Sequence, residues 1–376
     1  MTWKVPFFDL VMGEEEKQAA IAVIESNWLT SGPKIAEFEE AFLASFDDKA
    51  TAVALSSATA ALHLSMVALG IGPGDEVILP SLTFVACANA VRYVGATPVF
   101  ADINSETDWN ISAVDVTKKI TNQTKAIMVV HFAGYPCDMD AFVELTTKHK
   151  LFLIEDCSHA PLAKWKGRPL GTFGDTACYS FFSNKNMTTG EGGMVITQNQ
   201  ELAQRFRILR SHGITASTYQ RFKGHVYGYD VAELGFNYRM DEVRAAIGLE
   251  QLKKLPKFNA QRKNRVERYR KIINERLPQV KVAFADNDTE SSYHIFPVLV
   301  PGGAEARGDV MKMMGEKGVQ CSLHYRPIHT FSAYEGYAAD VPITDKIAGS
   351  IITLPLFPSM TNEQIDLVVD ILRECL

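Results

Sequence analysis

The sequence predicts an α/β fold in which a mostly parallel sheet is covered by helices on both faces, followed by a smaller C-terminal α+β domain. Three observations carry this. Short β-branched runs alternate with longer helical stretches from about residue 50, the pattern of a parallel sheet with crossover helices. The texture changes after "YRMDEVRAAIGLEQLKKL" (238–255), where a basic helical stretch gives way to strand-like segments. With 376 residues, the chain also exceeds the size at which one core keeps growing.

The elements follow in order. "TAVALS" (51–56) is read as a strand, "ATAALHLSMVALG" (58–70) as a helix closed by glycine, "DEVILP" (75–80) as a strand and "TFVACANAVRYVG" (83–95) as a helix. "TPVFADI" (97–103), "KAIMVVHF" (125–132) and "LFLIED" (151–156) continue the strands, and "DMDAFVELTTKHK" (138–150) is a helix before the last of them. "GIGPGDE" (70–76) precedes a strand instead of opening a helix, so it is a turn and not a dinucleotide fingerprint. The first long C-terminal helix is expected to stop near Pro256, with a second over 257–277. Strands over 292–300 and 319–325 then flank a helix near 304–317. A large domain over 1–250 and a small one over 251–376 are therefore expected. In such sheets ligands sit beyond the carboxyl ends of the strands.

A formal net charge of −6 argues against an electrostatic grip on nucleic acid or an anionic membrane as the main role. "MTWKVPFFDL" has no signal-peptide pattern and no apolar run approaches membrane-spanning length, so a cytoplasmic protein is expected. Six cysteines lie scattered without CxxC spacing, which suggests reduced packing residues and no metal site.

The chemistry gathers at strand ends. "LFLIEDCSHAP" puts Asp156 at the carboxyl end of a strongly apolar strand. After another apolar strand, "TACYSFF" (176–182), comes Lys185 in the glycine-rich "SFFSNKNMTTGEGG" (180–193). Alone, each has a bland reading: a helix cap for Asp156, a solvated charge for Lys185. Together, a buried carboxylate and an ε-amine at strand ends are two of the parts that pyridoxal phosphate (PLP) requires, an acid partner for the pyridinium nitrogen and a Schiff-base lysine. Ser57, Ala58 and Thr59 sit at a strand-to-helix turn, where unpaired N–H groups and the helix dipole favour a dianion. Ser and Thr are also ordinary helix caps. Phe84 opens the next helix and offers a face on which a flat ring can stack, or a core side chain. Gly190, Gly192 and Gly193 supply positive φ or close backbone approach beside the lysine.

These stretches, with "SNWLTSGPKIAEFEEAF" (26–42), "GTFGDTACYSFFSNKNMTTGEGGMV" (171–195) and "ELGFNYRMDEVRAAIGLEQL" (233–252), resemble the DegT-type aminotransferases, the sugar-modifying branch of the fold-type-I PLP enzymes. The likeness runs almost end to end. It implies that Lys185 joins PLP covalently and moves the proton between the two carbons, and that Asp156 holds the ring nitrogen. It also implies that His159, where many relatives carry Gln, lies near the phenolic oxygen. Ala58, Thr59 and Ser180 would bind the phosphate, and Phe84 would stack on the ring. Asn237, in the "FNYR" segment, would reach the neighbour's phosphate across a homodimer interface, whereas the residues alone suggest a turn.

On the substrate side the resemblance makes Phe182, His324 and Tyr325 candidates, with Trp28 and Thr30 in an entrance loop. The basic stretch from Lys253 to Lys271 is read as a solvated helix face rather than a diphosphate site. The implied reaction moves an amino group from L-glutamate to a keto group of a nucleotide-linked deoxysugar, by ping-pong chemistry. A keto-cyclitol acceptor is the nearest alternative. A sugar dehydratase of the same family typically has His where this chain has Lys185, and a binding protein without catalysis is opposed by the intact Lys185 and Asp156.

Overall fold

A computed structural model describes residues 3–44, 46, 50–215, 228–287, 289–337 and 339–376. After two N-terminal helices, α1 (Glu14–Glu25) and α2 (Pro33–Leu43), the chain builds strand β1 (Thr51–Leu55), helix α3 (Ala58–Ala68), β2 (Glu76–Pro80), α4 (Ala86–Tyr93), β3 (Thr97–Ala101), α5 (Ala113–Lys119), β4 (Thr124–Val130), α6 (Met139–His149) and β5 (Phe152–Asp156). A two-stranded ribbon, β6 (Lys164–Trp165) and β7 (Arg168–Pro169), precedes β8 (Thr176–Ser180), β9 (Gly193–Thr197) and α7 (Gln200–Leu209).

The main sheet has seven strands in the order β1-β9-β8-β5-β4-β2-β3. The β3–β2, β2–β4, β4–β5 and β5–β8 pairs are parallel, while β9 runs antiparallel to both neighbours. Period-two alternation divides each strand between two cores. Val53, Leu55, Leu79 and Met128 pack with α3, α4 and α7 on one face. Ala52, Ala54, Ile78 and Ile127 pack with α2, α6 and Leu255 on the other. Burial on both faces explains why these strands read as unbroken apolar runs in the sequence.

Helix α8 (Glu242–Arg276) is continuous for 35 residues with Pro256 inside it, where the sequence suggests two helices. Proline removes one N–H and crowds the preceding turn, but here the flanking turns are held by packing: Gln251, Leu255, Phe258 and Arg262 are all buried. A second, antiparallel sheet of β10 (Lys281–Val282), β11 (Phe296–Leu299) and β12 (Ile351–Leu354) rests with helices Gly303–Glu316 and Asn362–Cys375 on the far half of α8. The segment 319–325 forms isolated bridges, Val5 with Val319 and Ser322 with Thr353, instead of the expected strand. Among the described residues no helix is long and apolar enough to cross a membrane.

Candidate active site

The carboxyl ends of β1, β2, β5 and β8 surround a cavity of about 260 Å³. Asp156 ends β5, because the strand's apolar run stops there and the chain turns. Its carboxylate is 5% exposed; Oδ1 accepts the Ser158 N–H at 2.9 Å and Oδ2 accepts the Cys87 thiol at 3.1 Å. Burial, and then the adjacent Asp156 charge, push the Cys87 thiol far up, so it remains a protonated donor. This reading of Cys87 differs from the plain packing role that spacing suggested.

Lys185 lies in the turn after β8, its backbone N–H bonded to the Phe182 carbonyl at 2.9 Å. Burial brings its ammonium down to about 8, against the opposing pull of Asp156 and Cys87. The turn is fixed by its neighbour Asn186, which is buried. The Asn186 amide donates to Asn259 Oδ1 at 2.8 Å and to the Ser292 carbonyl at 2.6 Å, and its Oδ1 meets His294 Nδ1 at 2.9 Å.

Elsewhere on the cavity wall, Ser57 caps α3 by accepting the Ala60 N–H at 3.1 Å, so the backbone of Ala58 and Thr59 opens the helix at the cavity. Gly193 explains its own identity: a Cβ there would stand 2.2 Å from the Ser57 carbonyl carbon. Ser180, at the end of β8, lines the same cavity. Phe84 is 55% exposed in the cavity wall, its ring tilted against that of Tyr325, and is not a core residue.

His159 is 5% exposed, and burial, Lys185 and His324 together hold its imidazole neutral, well below the usual range. Its Nε2 lies 3.0 Å from the Tyr325 hydroxyl, while Nδ1 is buried with no partner among the described residues. His324 stacks on Phe7 and bonds Thr353 Oγ1 at 3.1 Å; burial and Lys185 lower it to about 3. Phe182 is exposed at the rim.

Of the predicted site residues, Ala58, Thr59, Phe84, Asp156, His159, Ser180, Phe182, Lys185, His324 and Tyr325 share one cavity. Asn237 does not line it; it is exposed, bridged to Ser211. Trp28 and Thr30 also lie off the cavity wall, Thr30 bridging Asp241. Sequence reasoning missed Ser158, Thr83, Glu191 and Asn184 in the lining. Ser158 was within reach, being two residues past Asp156; the others carried no signal. The basic stretch of α8 is largely tied to protein partners, such as Lys254 to Glu16 and Arg268 to Asp366.

The donors fit a flat phosphorylated aldehyde: an amine to meet the aldehyde, a carboxylate for a ring nitrogen, an imidazole nitrogen awaiting a partner, and a helix N-terminus for phosphate. A second cluster, His131, Glu155 and Cys157, contains metal-ligand types. The Glu155 and His131 atoms are already used, since Glu155 accepts from the Gly171, Phe173 and Gly174 N–H groups and meets His131 Nε2 at 3.3 Å, while His131 Nδ1 accepts the Cys137 N–H.

The model of the DegT/DnrJ/EryC1/StrS aminotransferase family matches residues 11–373. The chain belongs to this family. Among its relatives, the spore coat polysaccharide biosynthesis protein SpsC of Bacillus subtilis is 37% identical, over 98% of this chain and 96% of SpsC. GDP-perosamine synthase of Escherichia coli O157:H7 is 38% identical, over 98% of each. The fold matches Spr1654 of Streptococcus pneumoniae with a TM-score of 0.92 at 29% identity, covering 99% of both chains. That protein has been solved in PLP and PMP forms. This family member is thus a fold-type-I, PLP-dependent aminotransferase.

Proposed function

We propose that the enzyme moves an amino group from L-glutamate to a keto group of a nucleotide-linked deoxysugar. The observation that carries the reading is the convergence of Lys185, Asp156 and an unpartnered His159 nitrogen on one cavity. The sugar is supported by similarity to GDP-perosamine synthase.

When bound, PLP supplies an aldehyde for amine exchange and a protonated ring that withdraws electrons from the substrate carbon. Lys185 has the right nucleophile for that aldehyde, since near neutral pH a larger share of its amine is neutral than in an exposed lysine. With PLP bound, the same Nζ would be the group placed to carry a proton between the two carbons. Asp156 would hold the ring nitrogen and keep it protonated. His159 would address the ring's phenolic oxygen; Ala58, Thr59 and Ser180 would hold the phosphate, and Phe84 would cover one ring face. Phe182 and His324 stand at the substrate side.

Asn237 is assigned to a partner's site in a homodimer. Its exposure in the single chain supports this, as does the apolar surface around it, with Tyr229, Val231 and Leu234 all exposed.

The test supplies purified holoenzyme with L-glutamate and a panel of 3-keto and 4-keto nucleotide sugars. Glutamate-dependent formation of an amino sugar is expected with one of them. Bleaching of the bound cofactor by glutamate with no sugar converted would overturn the acceptor; no bleaching would overturn the donor.

A further inference from the structure

We propose that Tyr325 is a positioning residue that locks His159 in one tautomer, with the proton on Nδ1, so that the imidazole is a fixed donor into the cofactor cavity. The inference rests on the reading of His159 as the residue that addresses the cofactor.

The Tyr325 hydroxyl has one hydrogen and, among the described residues, meets one polar group, His159 Nε2 at 3.0 Å. Burial keeps the phenol protonated by pushing its titration up, and keeps the imidazole neutral. Two arrangements are then open. If Nε2 carries the ring proton and donates to the phenol oxygen, the phenol hydrogen has no acceptor and Nδ1 is a bare, buried acceptor. If the phenol donates to Nε2, its hydrogen is satisfied and the ring proton sits on Nδ1, which is buried and otherwise unpartnered. The second arrangement leaves one unsatisfied group instead of two, and unmade buried hydrogen bonds are costly. That remaining donor belongs to a residue lining the cavity, where an oxygen anion is its natural partner.

The rest of the setting holds the pair still. The His294 ring lies 4.4 Å from that of His159, and Phe132 meets both His159 and Tyr325 edge-on. Tyr325 follows Ser322, which is bridged to Thr353 of β12. The small sheet thereby reaches the tautomer of a residue on the large one. This differs from a substrate contact, the role the sequence suggested for Tyr325.

Tyr325→Phe removes only the hydroxyl. It is compared with wild type and with the same change in an H159Q background, whose amide donates without any tautomer to choose. Two properties are read on the enzyme without substrate: the PLP dissociation constant, and the pH midpoint of the bound-PLP absorbance. Y325F is expected to weaken PLP about threefold or more and to move the midpoint by about half a unit or more. In the H159Q background it should do neither. A Y325F enzyme with both properties unchanged, whether or not the KM for the sugar rises, overturns the proposal. Equal shifts in both backgrounds also overturn it, because the hydroxyl then acts elsewhere. His159→Ala separates the two levels: if it moves neither property, the reading of His159 falls and takes the proposal with it.

Discussion

The thiol of Cys87, on α4, donates to Oδ2 of Asp156 across 3.1 Å. The contact joins the segment carrying Phe84 to the strand end carrying the carboxylate, so two groups of the cavity wall share one anchor. Cys87→Val keeps the volume but deletes the donor. Loss of one net hydrogen bond is worth about 0.5–1.5 kcal/mol, or about two- to tenfold in PLP dissociation constant. Cys87→Ser should recover most of that loss, as read by absorbance after stepwise dialysis. Equal retention by the Val and wild-type proteins would remove the contact from the site's design.

Lys185→Ala removes the amine proposed both to meet the cofactor and to carry the proton. General acid–base catalysis alone contributes about 10²–10⁴ in rate. Glutamate-dependent conversion should therefore fall by at least that factor while the far-ultraviolet circular dichroism stays that of the folded enzyme. Turnover near wild type would falsify the role given to Lys185.

The pH dependence follows from the lysine's environment. Burial lowers its pKa from 10.5 to about 8, and the neutral amine, present above that value, is the reactive form. The rate of PLP capture by the apoprotein should rise about tenfold per pH unit below the midpoint and level off above pH 8. The same depressed pKa makes the apoprotein gain stability from this group between about 8 and 10.5, where the unfolded chain holds more protons. A capture profile still climbing past pH 10 would mean that the amine is not desolvated.

Asn237 offers a complementation test. In hybrids of a K185A chain with an N237A chain, a shared arrangement puts both changes in one site and leaves the other intact. Mixed dimers should then regain up to about half the wild-type rate and PLP retention in one site of two, although K185A alone is inactive. Hybrids no better than the average of the two parents would place Asn237 in its own chain's business.

Glu155 is fully buried under the site and accepts three backbone N–H groups from residues 171–174. Glu155→Ala orphans those donors together with His131. A loss of about 3–5 kcal/mol in urea unfolding is expected, because several buried polar groups lose their partner at once. A change within 0.5 kcal/mol, the range of ordinary surface substitutions, would contradict the account of this anchor.

The parts of the molecule that could be read in advance are those whose cause is local. Strand runs, the Ser57 cap and the close approach at Gly193 each leave a mark on neighbouring residues, and so do Asp156 and Lys185 at the ends of their strands. What escaped notice depends on residues distant in the chain. Cys87 looks like any buried thiol until β5 brings Asp156 beside it, 69 positions away. Tyr325 finds His159 across 166 positions. Pro256 reads as a helix stop because local backbone chemistry says so, and tertiary packing on both sides outweighs it. Asn237 is the remaining kind: its neighbours in the sequence read as a turn, and the task proposed for it lies with a second molecule.

Helix α8 ties these distant regions into one mechanical unit. At 35 residues it is about 50 Å long. At its start, Glu242 accepts the Gly32 and Lys34 N–H groups at the opening of α2. Midway, Asn259 grips Asn186, the residue beside the reactive amine, and Arg262 binds the carbonyls of His294 and Leu356. The helix is thus a beam with the lysine turn clamped at its centre. A tilt of either end would be felt at the lysine turn as a torque, so substitutions near the ends of the helix can alter the rate without touching any reacting atom.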